Sequence, residues 1–268
     1  SVLMLGLYNN LTKDIQLNGG LLRLFAALEC SKGISIVGSG TVDLSEKSVV
    51  LRSEASTFSG NLTWTGGGQI VLYEKAVISG TWVIDAQSDA ITKVDGLGQS
   101  LDFSPGGTLM VKAGSRVVFD HVIFKGLKTG SLVFEDETAQ AVFVGCSLSL
   151  SSNCEISHGE LVFSGKDSVL IAGEYVCVFS ESSRLVVDGV SLYYDPLYFA
   201  HGVGLNVAGP ANIVELNGGR VASIHKKNID PHLILDNSST VCFGQLDLVA
   251  THPLWFRGLN SDVLTLQG

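Results

Sequence analysis

Asp195 and His201 lie six residues apart, among Tyr193, Tyr194, Tyr198 and Phe199. A carboxylate and an imidazole can move protons, and flat aromatic rings can stack on sugars, so this group is a candidate sugar-stacking, proton-moving patch. An aromatic loop packed on the body of the protein uses the same residues without chemistry and is the expected arrangement. His225, Lys226 and Lys227, followed by Asp230 and His232, form the densest basic cluster. Metal ligation there needs a further converging donor that the spacing does not supply, so a solvated turn is expected. Glu135, Asp136 and Glu137 are contiguous acids directly after SLVF and read as a solvated tip. Glycoside hydrolysis needs two carboxylates roughly 5 to 10 Å apart across the scissile bond, and no Asp-Asp pair occurs in the chain. Neither GxSxG, a phosphate-binding glycine loop nor HExxH is present, so serine-hydrolase, nucleotide and zinc-protease chemistry are not expected, and neither is a cofactor or metal.

Five cysteines, Cys30, Cys146, Cys154, Cys177 and Cys242, show no CxxC spacing that would suggest zinc. Cys146 and Cys154 are eight residues apart across a serine-rich stretch and could bridge a surface loop in an oxidising compartment. Buried thiols on strands are the expected arrangement, and Cys177 in YVCVF and Cys242 in TVCFG fit it.

The elements that would position these groups follow from pattern and composition. The chain has 268 residues, 46% of them hydrophobic and 16% charged, enough for a large core and incompatible with disorder. Mean hydropathy is +0.34, yet polar residues break every apolar run well before the roughly 18 residues of a membrane helix, so no membrane span is expected. A net charge of −9 with 17 Lys and Arg leaves no basic footprint for nucleic acid. Residues 1–20 do not read as a secretory leader, and a processed, exported chain starting at Ser1 is the expectation.

A repeat dominates the sequence. Gly20, Gly40, Gly60 and Gly80 are twenty residues apart and each precedes an alternating phrase: LLRLF (21–25), TVDLS (41–45), NLTWT (61–65) and TWVID (81–85). The phrase returns as TLMVK (108–112), SLVFE (131–135), ELVFS (160–164), RLVVD (184–188) and RVASI (220–224), nine copies in all. Large apolar residues in the second and fourth places mark a strand with one buried face. Further short runs follow within most repeats, among them SVVLR (48–52), QIVLY (69–73), RVVFD (116–120) and QAVFV (140–144). Two or three strands per repeat cannot close a core alone and must stack on neighbouring copies. LLRLFAALEC (21–30) has helix-favouring composition, but its register with the other copies argues for strand.

In this pattern the chain resembles right-handed parallel β-helix proteins, the architecture of pectin lyase-like enzymes, viral tailspikes and bacterial surface adhesins and passenger domains. The resemblance implies an all-β, single-stranded right-handed parallel β-helix (β-solenoid) of roughly ten coils, one domain over residues 1–268. It also implies a polysaccharide as the partner to test. Spacing between phrases widens from 20 residues to as many as 36 toward the C-terminus, predicting longer loops there, above all at 191–219. Both SVLMLGLY and SDVLTLQG are apolar and alternating. Val2, Leu3, Leu5 and Leu7 at one end, with Val263, Leu264 and Leu266 at the other, are therefore the expected contacts of a homo-oligomer or filament. The function expected from the sequence is a non-catalytic extracellular or cell-surface structural protein; the alternative is a polysaccharide-binding adhesin or a pectin lyase-like enzyme.

Overall fold

A computed structural model of the chain describes residues 2–5, 9–11, 13–30, 36–52, 56–86, 90–173, 175, 177–179, 183–188, 191–196, 205–208, 213–217, 220–223, 233–236, 240–243 and 263–266. Every strand pairing among them is parallel, and neighbouring strands come from successive turns of the chain. This is a β-solenoid. One face is a seven-strand sheet running from Val2–Leu5 to Leu132–Phe134. A second holds twelve strands, from Asn9–Leu11 to Val263–Leu266. A third holds eight, from Ser56–Phe58 to Arg220–Ser223. The seven-strand face gives about seven turns, fewer than the ten or so coils implied by the repeats. A four-strand sheet, Cys154–Ile156 to Leu233–Asp236, follows the seven-strand sheet in the later coils. The described residues include no helix, hence none long and apolar enough to cross a membrane.

Alternation places one side of each strand inside. Leu22 and Leu24, Val42 and Leu44, Leu62 and Trp64, and Trp82 and Ile84 are all buried in one continuous core. The stretch 21–30 forms strands Ile15–Leu24 and Leu28–Cys30, as its register requires. Stacking coil upon coil also lines up like side chains. Phe119, Phe143 and Phe163 are register partners on the twelve-strand sheet, with ring centroids 5.5 and 5.1 Å apart and planes 21° from parallel. Trp64 and Trp82 meet edge to face at 5.3 Å.

The repeated glycines mark where coils approach most closely. A Cβ on Gly60 would stand 1.9 Å from the Gly38 carbonyl oxygen, one on Gly80 2.2 Å from that of Gly60, and one on Gly107 2.1 Å from that of Ile78. Aspartates turn the chain where strands end: Asp43, Asp95, Asp102 and Asp136 each accept a hydrogen bond from the amide two residues on.

Two expectations change. The first six glycine-led phrases do lie on the seven-strand sheet, but 160–164 and 184–188 belong to the twelve-strand face and 220–223 to the eight-strand face. Alternation with a preceding glycine specifies a buried strand at a corner, not which face it occupies. Nor is 191–219 simply a loop: it contains the strands Ser191–Pro196, Leu205–Ala208 and Ile213–Asn217, one on each of three sheets.

Candidate functional site

Of the sequence-derived patch, Tyr193, Tyr194 and Asp195 fall on the strand Ser191–Pro196, where they are the register partners of Val169, Leu170 and Ile171. Leu170 is buried and Ile171 is exposed. Tyr198, Phe199 and His201 lie outside the described residues, as do His225, Lys226, Lys227, Asp230 and His232. At the ends, Val2, Leu3 and Leu5 pair with Leu21, Leu22 and Leu24, and Val263, Leu264 and Leu266 pair with Thr240, Val241 and Phe243. Leu7 lies outside the described residues.

In the acidic run 135–137, Glu135 and Asp136 are engaged and Glu137 is exposed. Glu135 receives the Lys112 ammonium and the Ala113 amide, the latter at 3.0 Å, and the Asp136 carboxylate accepts from the Thr138 amide and hydroxyl at 2.8 and 2.6 Å. Hydrogen bonds from Ala113 and Lys112 hold the Glu135 carboxyl below its usual range. The Glu135 contacts tie one coil to the one before it and the Asp136 contacts form a turn.

Cys146 and Cys154 form no bridge. Both thiols are free and buried, and the Cys146 thiol points at the Phe119 carbonyl oxygen, 3.3 Å away. Cys154 instead stands in register with Cys177 on the next coil, thiol against thiol. Both line an apolar cavity of about 20 Å³ with Leu132, Leu148, Leu161 and Phe163. The contact with Cys154 and the apolar surroundings push the Cys177 thiol well above its ordinary pKa. Burial raises Cys30 to about 12 and Cys146 to about 11. Thiolate chemistry is suppressed in this core.

The densest group of mobile protons lies at the corner where the twelve-strand sheet gives way to the eight-strand one. Asp95 and Asp120 are register partners, and Lys93 reaches diagonally between them, 2.7 Å from Asp120 and 3.6 Å from Asp95. The next residue, His121, turns the corner at φ 50°. Its Nδ1–H donates to the Asp120 carboxylate at 2.5 Å, which leaves Nε2 to accept from the Lys166 ammonium at 3.1 Å. Gly145 leaves room for the ring: a Cβ there would stand 3.2 Å from Nε2. Partial burial works to raise the Asp120 carboxyl, but hydrogen bonds from Lys93 and His121 outweigh it and hold the group below its usual range. The bond to Asp120 raises Lys93 against the opposing effect of desolvation. Carboxylate, imidazole and ammonium in series can orient and exchange a proton at the surface.

No hydroxyl or thiol nucleophile contacts His121 among the described residues, and no three His, Cys, Asp or Glu side chains converge there as metal donors. Sequence reading missed this corner because its members are scattered over 93–166. The adjacent Asp120-His121 pair at the end of RVVFD was the available signal.

The chain matches no protein-family model, no curated protein and no solved structure.

Proposed function

We propose that the chain is a non-catalytic extracellular structural rod that joins end to end with copies of itself. The carrying observation is the twelve-strand ladder. It is parallel throughout, and its outermost strands, Asn9–Leu11 and Val263–Leu266, each pair on one side with a described strand, Leu28–Cys30 and Thr240–Phe243. A strand edge of this kind accepts another strand by the same backbone hydrogen bonds that built the ladder. Contact between unlike ends is head to tail and grows into a fibre rather than closing on itself. Electron micrographs of concentrated protein should show particles several rod lengths long. Uniform particles one rod long, single or side by side, would overturn the proposal.

A second reading is supported by the place of Tyr193 and Asp195 on one strand, Asp195 in register with exposed Ile171: a surface contact for polysaccharide, in an adhesin or a pectin lyase-like enzyme. A panel of polysaccharides separates the two. Binding without turnover supports the adhesin, whereas release of sugar ends that Asp195→Asn abolishes supports the enzyme. Absence of binding across the panel removes both.

A further inference from the structure

Among the described pairings, Cys154 and Cys177 are the only cysteines set opposite each other. Cys30 is opposed by Leu11 and Leu51, and Cys242 by Glu215 and Thr265. Cys146 precedes the strand Ser147–Leu150 and gives its thiol to the Phe119 carbonyl oxygen. Cys154 and Cys177 are 2% and 6% exposed and stand thiol against thiol. Register partners on neighbouring parallel strands have Cα atoms about 4.8 Å apart, within the roughly 4.4 to 6.8 Å that a disulfide spans. Bond closure also needs the sulfurs to swing to a dihedral of about 90°, which a close-packed core resists. Here both cysteines border the apolar cavity of about 20 Å³, whose other walls include Leu127, Leu150, Ile156 and Leu170. The slack lies beside the sulfurs that must move.

The pair also sits where the ladder is interrupted. The seven-strand sheet ends at Leu132–Phe134, and Cys154–Ile156 opens the four-strand sheet that follows it. Among the described residues, the one ladder neighbour of Cys154–Ile156 is Cys177–Phe179. On its other side the chain is held through Thr129, whose amide and hydroxyl donate to the Asn153 carbonyl at 3.1 and 3.2 Å and whose hydroxyl accepts from the Glu155 amide at 3.0 Å. We propose that Cys154 and Cys177 are a disulfide site, whose bond staples the first strand of the four-strand sheet to the next coil and closes one full lap of the rod into a covalent loop.

The oxidant is a small-molecule disulfide such as oxidised glutathione. A thiolate of the pair attacks it, forming a mixed disulfide and expelling one glutathione thiolate. The second cysteine's thiolate then attacks the protein sulfur of that mixed disulfide and expels the other. Two protein thiols thus lose two protons and two electrons, and the oxidant leaves as two thiols. The contact with Cys154 and burial both disfavour the Cys177 thiolate, and the core excludes the oxidant. Exchange therefore requires the lap to open, during folding or by local unfolding. Once the bond has closed, the same burial shields it from reductants.

The test holds the native, reduced protein at pH 8 with reduced and oxidised glutathione, in urea below the unfolding transition, until its thiol content is constant. Circular dichroism confirms the fold, free thiols are blocked in denaturant, and the unreduced peptides are mapped by mass spectrometry. Peptides joined through Cys154 and Cys177 are expected at least tenfold above any other linked pair, with Cys30, Cys146 and Cys242 blocked. All cysteines blocked, a different pair, or glutathione retained on Cys154 or Cys177 would each overturn the site. The bridged wild type should melt at least about 4 °C above the reduced wild type. Cys154→Ala treated alike should show no rise, and Cys177→Ala replaces it if it does not fold. Bridging without that rise would overturn the staple. Dithiothreitol should open the bridge at least tenfold more slowly in the folded protein than in the unfolded chain, and equal rates would overturn its buried placement. The bond lies within one chain and leaves rod length in micrographs unchanged, so it stands or falls separately from end-to-end joining.

Discussion

Single residues set how this protein responds to pH and to thiol reagents. Asp102 is 8% exposed and bound to Lys75 at 2.5 Å. Burial opposes its ionisation, but hydrogen bonds from Lys75 and Ser104 prevail and bring it to about 2, against an ordinary value of 3.8. Its folded pKa is therefore the lower one, and the stability it adds is present above pH 4 and lost as pH falls from about 4 to 2. Asp102→Asn should cost at most about 2 kcal/mol at pH 7 and nothing measurable near pH 2, as checked by urea unfolding at both. Cys30, Cys146, Cys154 and Cys177 are buried, so none should react with a disulfide reagent at pH 8 until denaturant is added. Early labelling of any of the four, located by mass spectrometry, would contradict that placement. Of the candidate sites, the paired corner residues Asp120 and His121 were adjacent in sequence, but Lys93 and Lys166 join them only because coils stack. Contacts between coils are not written in local spacing.

At the scale of strands, the pattern gave the inward residues and most of the ladder correctly. Its limit was face identity. TVDLS and ELVFS share glycine, alternation and length yet occupy different sheets, because any strand with one apolar side suits any wall of the same core. Leu161→Asp would place a charge among core residues and should cost several kcal/mol, whereas exposed Glu137→Ala should be nearly silent. Phe143 is held between Phe119 and Phe163, so Phe143→Ala should lose about 3–5 kcal/mol. The glycines divide by mechanism. Gly80→Ala drives a methyl into the Gly60 carbonyl and should cost about 3 kcal/mol. Gly98→Ala meets no atom but must hold φ +82° and should cost about 1 kcal/mol. Chemical denaturation of the five variants orders them, and equal midpoints would refute the inward assignments.

For the molecule as a whole, a strand leans on the turn before it and the turn after, and among the described residues no hairpin ties a turn to itself. The unit of the architecture is thus a lap that can be removed without renegotiating its neighbours. Residues 61–80 comprise one such lap, from Asn61–Thr65 through Gly68–Leu72 to Ala76–Ile78. Excising them joins Gly60 to Thr81 and sets Trp82 where Leu62 had been, over the same wall. The shortened chain should fold with an unchanged β-sheet circular-dichroism spectrum and a modestly lower melting temperature. Excision of 61–70 alone, half a circuit, should give an unfolded or aggregated product. Lineages carrying such a chain can therefore change its reach by duplicating or dropping whole circuits in the gene, with no redesign of the remainder.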